Sequence, residues 1–432
     1  MAQLRHEEYR SRLLDGPIDR LLGVFGAVQI DGPKYCGKTW TAQAHANSEI
    51  RLDSKEGRAL AQADPNVALK GDPPRLVDEW QELPSIRDDI RRTIDEAGNK
   101  AGRFLLTGSS VPPRDSYVHS GAGRIARVRM RPLSLYEMGL SDGRISLGSL
   151  FRGEPFGAFA VEPSLDTLAS YACRGGWPAA LDRSTDVAQL IAQQYLESVF
   201  EDSAPRLGKT PAMARRVFSS LARNNGTSAT FGTLASDVDF GEHKTASTRP
   251  ARTTLDSYLD FYRALYLLEE LPGWDAPFRS KKRLRTKAKR YIVDPSLALS
   301  VLGMDEKALL GDLQTFGIMF ENMCLRDLRV YVSTGSEFEG AQIGYYCDDR
   351  GLEVDVVIQL RDGRWGCIEI KLSEDKVMQG VAQLTAFSKR IAENEAMRNR
   401  PPSFLAVLLG RTSFARTTPE GVHVLPITSL TA

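Results

Sequence analysis

Gly32-Pro-Lys-Tyr-Cys-Gly-Lys-Thr39 is the stretch on which the reading of this 432-residue chain turns. It fills every fixed position of the pattern GxxxxGK[ST]. Gly32 and Gly37 let the main chain of the loop, which runs through Pro33, Lys34, Tyr35 and Cys36, bend so that successive N–H groups after the proline face a polyphosphate. Lys38 brings a cation to the β- and γ-phosphates, and Thr39 offers a hydroxyl to Mg²⁺. Trp40 borders the same site. The motif needs a strand before it and a helix after it. The apolar run Gly26-Ala-Val-Gln-Ile30 and the Ala-rich run from Thr41 to Asn47 meet that need, and the helix would point its positive end at the same anion.

Working outward, a helical stretch is expected from Glu7 to Leu22. Pro74-Arg-Leu-Val77 reads as a second strand and Arg103-Phe-Leu-Leu-Thr107 as a third, with a polar helix between them from about Ile86 to Ala97. Strands alternating with helices predict a doubly wound parallel α/β sheet, whose ligands sit at the carboxyl ends of the strands. Asp78-Glu79 ends the second strand there. Asp78 is placed to hold Mg²⁺, and Glu79 to polarise an attacking water. Thr107 or Ser109 could sense the γ-phosphate, and Arg124 or Arg127 could reach toward a neighbouring subunit as an arginine finger.

The Gly-rich stretch from Gly143 to Gly157 reads as a boundary. Leu165 to Leu271 is mostly helical. Within it Phe231-Gly-Thr-Leu-Ala-Ser-Asp-Val238 and the helix opening at Arg252 have the order of a helix-turn-helix with a following wing. Lys281-Lys-Arg-Leu-Arg-Thr-Lys-Ala-Lys-Arg290 concentrates positive charge beyond it, a candidate for sequence-independent DNA phosphate contacts.

The last segment is a separate α/β domain. A helix is expected from Gln314 to Val330, then strands at Ile343–Tyr346, Glu353–Ile358 and Trp365–Lys371, a helix over 377–395 and a strand at Phe404–Leu409. Alternation puts Glu369 and Lys371 on one face. If the two strands are hairpin partners, Asp355 meets Glu369 across the pair, and two carboxylates there make a Mg²⁺ site. Lys371 would orient or deprotonate a water for attack on a phosphodiester, with Glu321 as a third carboxylate and Gln383 holding the site or a phosphate.

Composition narrows the classes. Lys and Arg number 56 against 55 Asp and Glu, so no global field drives binding to nucleic acid or membrane. The five cysteines are scattered and none forms a CxxC pair, which fits a reducing compartment. The charged N-terminus lacks a signal peptide's apolar stretch, and no run approaches the ~20 apolar residues of a membrane span. A soluble cytoplasmic protein is expected. The absence of HExxH and GxSxG disfavours zinc and serine hydrolases.

Taken together the chain resembles the bacterial and archaeal AAA+ ATPases whose C-terminal region is a domain of unknown function with a restriction-endonuclease-like fold. The landmarks are Gly32–Thr39, Leu76-Val-Asp-Glu-Trp-Gln81, Leu105-Leu-Thr-Gly-Ser-Ser110, Arg131-Pro-Leu-Ser-Leu-Tyr-Glu137, Gly175-Gly-Trp-Pro-Ala179, Phe320-Glu-Asn322, Glu353-Val-Asp355 and Glu369-Ile-Lys371. Tyr35-Cys36 and Trp40 depart from the residues usual in that family. The resemblance implies ATP with Mg²⁺, a winged-helix segment and a nuclease-type C-terminal fold. The expected division is an AAA+ core over 1–150, a helical lid and winged-helix-like segment over 160–290, and the restriction-endonuclease-like domain over 291–432. The expected function is a Mg²⁺-dependent ATPase, in oligomeric form or not, whose cycle moves the winged-helix and nuclease-fold modules, with DNA as a candidate partner. The rivals are a nucleotide-gated binding protein with a silent nuclease fold, and an ATP-licensed DNA nuclease.

Overall fold

The computed structural model describes residues 4–112, 121–157, 159–239, 249–276, 280, 283, 286–397 and 399–432, and every count below refers to these. The chain divides into two compact units. The first comprises residues 1–132 with 264–266, the second 133–263 with 267–432.

In the first unit the elements run α1 (Asp15–Leu22), β1 (Ala27–Asp31), α2 (Lys38–Gln43), β2 (Ser48–Arg51), α3 (Lys55–Ala63), α4 (Pro65–Ala68), β3 (Arg75–Asp78), α5 (Ile86–Glu96), β4 (Phe104–Gly108) and β5 (Ile125–Arg129). The strands form one sheet in the order β2-β3-β4-β1-β5, and every pairing is parallel. β1 and β4 are buried throughout, which is why they read as continuous apolar runs. Ile86, Ile90 and Ile94 of α5 recur every fourth residue and pack with Ala27, Val77, Phe104 and Leu106 in one core. The register places Asp31 level with Gly108 and Arg129, and Arg51 level with Asp78. The carboxyl ends of all five strands therefore share one rim.

Three expectations shift. The first helix starts at Asp15, not Glu7, with Gly16-Pro17 in its opening turn, where a proline costs no hydrogen bond. α2 begins at Lys38 and ends at Gln43, ahead of the expected span. β2 and β5 were not foreseen. Both lie at sheet edges, where charged residues break the apolar run in Ser-Glu-Ile-Arg and in Ile-Ala-Arg-Val-Arg.

The second unit opens with residues 133–150, which the sequence had assigned to the ATPase core. They include β6 (Ile145–Ser146) and lead through α6 (Leu147–Arg152), α7 (Leu165–Arg174), α8 (Thr185–Ser198), α9 (Ala204–Arg206), α10 (Pro211–Arg223), α11 (Phe231–Val238) and α12 (Arg252–Ala264) to the hairpin β7 (Leu268–Leu271) and β8 (Lys289–Ile292). Then come α13 (Pro295–Leu302), α14 (Glu306–Gly311), the 22-residue α15 (Leu313–Thr334), β9 (Gln342–Cys347), β10 (Glu353–Gln359), β11 (Trp365–Lys371), α16 (Val377–Ala392), β12 (Phe404–Leu409), β13 (Arg416–Thr417), β14 (His423–Pro426) and β15 (Leu430–Thr431). A mixed sheet has the order β13-β14-β12-β11-β10-β9. β9, β10 and β11 form an antiparallel meander, and β12 joins β11 in parallel after α16. Trp274, Trp365 and Phe387 centre its core.

A buried ionic knot ties the second unit together. The Arg326 guanidinium on α15, wholly out of solvent, donates to Asp294 Oδ2 and Asp327 Oδ1, each at 2.8 Å. Asp294 also accepts the Gly176 N–H at 3.0 Å, and Asp327 accepts the Leu135 N–H at 3.0 Å. A Cβ on Gly176 would lie 2.2 Å from Leu133 O, so this crossing of two loops admits only glycine. Burial pushes the Asp327 carboxyl up to about 6 despite the arginine beside it. Removing one partner of such a knot leaves a charge buried and unpaired. Arg326→Ala should therefore cost about 3–5 kcal/mol, read as a lower urea midpoint for the second unit. Arg326→Met should cost less than Arg326→Ala, because it fills the volume.

Candidate functional site

At the end of β1 the chain must leave the sheet between β4 and β5. Gly32 N–H donates to Gly108 O at 3.1 Å. A Cβ there would stand 2.3 Å from Met130 O, so no other residue fits. Tyr35 and Gly37 take positive φ, +64° and +101°, which closes the loop onto α2. Lys34 and Tyr35 are exposed, whereas Pro33, Cys36 and Lys38 are buried. The Lys38 ammonium donates to Pro33 O at 2.8 Å, across the mouth of the loop. α2 has only six residues, so the loop amides and Lys38 outweigh any helix dipole.

The loop is braced from the N-terminal side. Buried Arg12 donates to Cys36 O and Arg131 O, each at 2.9 Å. His6 stacks on Trp40 with ring centroids 4.5 Å apart and planes 16° apart. His6 also bonds the Gln43 side chain.

The rim beside the loop carries a polar network. Thr39 Oγ1 donates to Asp78 Oδ1 at 3.0 Å, and Thr107 Oγ1 donates to the same oxygen. Burial raises the Asp78 carboxyl above its ordinary value, with the two hydroxyls opposing and the neighbouring Glu79 reinforcing. Glu79 has left-handed backbone, φ +55°, a conformation rare outside glycine. Its N–H is held by Thr107 Oγ1 at 3.0 Å. The strained turn throws its carboxylate toward Ser109 Oγ, 2.6 Å away, and Gln81 Nε2. Thr107 and Ser109 thus do meet the Asp78-Glu79 pair. Arg124 is engaged by Asp95 at 2.8 Å. Burial raises the Asp31 carboxyl above its ordinary value, with the Gln29 amide and then Arg127 opposing.

Sequence reasoning missed several members of this rim. Arg51, ending β2, brings Nε to 4.0 Å from Asp78 Oδ2. Gln81 bridges Glu79 and Ser109, its Nε2 lying 3.1 Å from Ser109 Oγ. Arg87 on α5 donates to Gln29, whose amide spans both Asp31 oxygens. Only the spacing of Gln81, two residues past Glu79, was a usable signal.

In the second unit Val356 pairs with Ile368, so Asp355 and Glu369 are opposite neighbours. A register shift against β9 between Val354 and Val357 marks a bulge that re-aims Asp355. Asp355 Oδ2 accepts Ile370 N–H at 2.9 Å, and Glu369 Oε2 accepts Asp355 N–H at 3.4 Å. Lys371 Nζ lies 2.7 Å from Glu369 Oε1. Glu321 joins the cluster, and burial followed by repulsion from Asp355 pushes both Glu321 and Glu369 above the usual carboxylate range. Gln383 lies on α16, its Oε1 buried without a hydrogen-bond partner. Of the basic stretch, Lys281 and Lys282 lie outside the described residues. Arg283 donates to Gln342 and Gln359, Lys289 is buried, and Arg290 donates to Ala229 O. Arg283, Lys289 and Arg290 are thus engaged within the chain, Lys287 is exposed, and Arg285 too lies outside the described residues.

Residues 25–139 match the family described as an AAA domain. Residues 165–308 and 316–430 match two families, each described as a domain of unknown function (DUF8612 and DUF4143). The uncharacterized protein Rv2008c of Mycobacterium tuberculosis is 26% identical over 352 residues, covering 80% of this chain and 70% of its own length. Protein Mb2031c of Mycobacterium bovis matches equally. Among solved structures, the Walker-type ATPase PABY2304 of Pyrococcus abyssi overlaps with a TM-score of 0.43 at 11% identity, over 70% of this chain and 98% of that one. RuvB of Thermotoga maritima overlaps with a TM-score of 0.28 at 16% identity, over 67% and 94%. No helix among the described residues is long and apolar enough to cross a membrane. The parallel strand order, the loop that bends at Gly32 and Gly37, and the match over residues 25–139 make the first unit an AAA-type P-loop domain.

Proposed function

We propose that the first unit binds and hydrolyses ATP with Mg²⁺. The observation that carries this reading is the meeting of Thr39 Oγ1 with Asp78 at 3.0 Å, beside Lys38 and Glu79 on one rim. A hydroxyl and a carboxylate are oxygen donors suited to magnesium. Thr39 and Asp78 would hold the ion, which supplies charge neutralisation on the phosphates when bound. Lys38 would exchange its bond to Pro33 O for phosphate oxygens. The N–H groups from Lys34 to Trp40 line the same turn. Glu79, steered by Ser109 and Gln81, accepts the proton of the attacking water, and Thr107 fixes the turn that aims it.

The second unit is the part this cycle would move. Helices α10, α11 and α12, with Thr227 bridged to Arg290 and the hairpin β7–β8, have the order of a winged helix. The meander β9–β11 followed by α16 and β12 has the order of a restriction-endonuclease core. Because Asp355 and Glu369 spend their carboxylates on strand amides, we favour a nucleotide-gated binding role for this unit over DNA cleavage.

Titration calorimetry and phosphate release test the ATPase reading. Lys38→Ala should lose the heat of ATP binding. Glu79→Gln should bind ATP but turn over on the order of 10²–10⁴ more slowly, as expected for removal of a general base. A wild-type chain giving no heat with ATP and millimolar Mg²⁺ would overturn the proposal.

Asp78 offers a second check. Its carboxyl holds a proton more tightly folded than unfolded, so its ionisation costs stability as pH rises past the ordinary aspartate range. At pH 7.5 without nucleotide, Asp78→Asn should melt above wild type, read by differential scanning fluorimetry. The further rise that Mg-ATP gives the wild type should vanish in this variant.

A further inference from the structure

The carboxylate cluster of the second unit contains a cation of its own. Lys289 opens β8, and its side chain is 8% exposed. Its ammonium lies 2.5 Å from Glu353 Oε1 and 3.7 Å from Glu321 Oε1. The Tyr345 ring stands 5.1 Å away on a third side. Two residues on, and on the same face of the strand, Tyr291 donates its hydroxyl to Glu321 Oε1 at 2.6 Å. β8 thus lays a lysine and a phenol across Glu321. From β11, Lys371 neutralises Glu369.

The sequence reading places a divalent metal at Asp355 and Glu369, and the residues as placed do not fit one. Among the described residues no group of three His, Cys, Asp or Glu side chains is disposed to hold a metal ion. The clustered carboxylates are already engaged by groups of the chain itself. Asp355 caps the Ile370 amide, Glu369 is shared between the Asp355 amide and Lys371, and Glu321 faces Tyr291 and Lys289. A divalent ion arriving here would meet an ammonium already seated against Glu353 and Glu321 and attracted by Asp355, and like charges at such range in a buried site repel strongly.

We propose that Lys289 is the resident cation of this cluster and excludes divalent metal while β8 stays in place. Metal-assisted phosphodiester chemistry by Asp355, Glu369 and Lys371 then requires Lys289 to be withdrawn. The inference is independent of the nucleotide reading, because it concerns a separate set of residues and is tested without ATP.

Electron paramagnetic resonance with Mn²⁺ alone on the full chain tests it. Wild type and Asp355→Asn should give the same Mn²⁺ titration. Lys289→Met should gain one site at least tenfold tighter than any in the wild type, and Lys289→Met combined with Asp355→Asn should lose it. Lys289→Gln, which keeps a polar side chain, serves if the methionine variant does not fold by circular dichroism. Wild-type Mn²⁺ binding that Asp355→Asn removes would overturn the proposal without recourse to any Lys289 variant. A folded Lys289 variant with no gained site would overturn it equally.

Discussion

Gly32 pressed against the Met130 carbonyl is the contact on which the first unit depends. The main chain leaves β1 with a neighbouring strand on either side, and the space at Cα is smaller than a methyl group. That closeness keeps the loop low on the rim and brings Lys38 and Thr39 down to Asp78. A larger residue would lift the loop and part the hydroxyl from the carboxylate. Arg12 works in the same direction by fastening Cys36 and Arg131, one cation holding two pieces of backbone that have no partner in the sheet.

The second unit is organised around a different constraint. Its loops at Leu133–Leu135 and Gly175–Trp177 cross at a point where backbone amides would otherwise be buried without acceptors. Asp294 and Asp327 supply those acceptors, and Arg326 makes two buried carboxylates tolerable. Most of the sequence landmarks between residues 131 and 179 are therefore loop-crossing geometry, not chemistry. The C-terminal cluster follows the same rule on a smaller scale, with lysines doing for Glu321, Glu353 and Glu369 what Arg326 does for the aspartates.

How much the sequence revealed depended on whether a feature was local. The phosphate loop, Asp78-Glu79, the inner strands β1, β3 and β4, and the meander β9–β11 were legible because their spacing is short and their burial continuous. β2 and β5 escaped because edge strands carry arginines in place of an apolar run. Asp327 and the Leu135 amide it serves are 192 residues apart, and no local pattern announces such a pair. Lys289 illustrates the opposite error. Inside a run of basic residues it read as a candidate DNA phosphate contact, yet its neighbours in space are glutamates from α15 and β10.

The place of Trp40 beside the loop has a spectroscopic consequence. Trp80, Trp177, Trp274 and Trp365 are buried, while Trp40 is 43% exposed at the first turn after the loop. Its fluorescence should emit to the red of the other four indoles. The chain thus carries an intrinsic optical probe within one residue of Thr39, and events at the loop can be followed without attaching a dye.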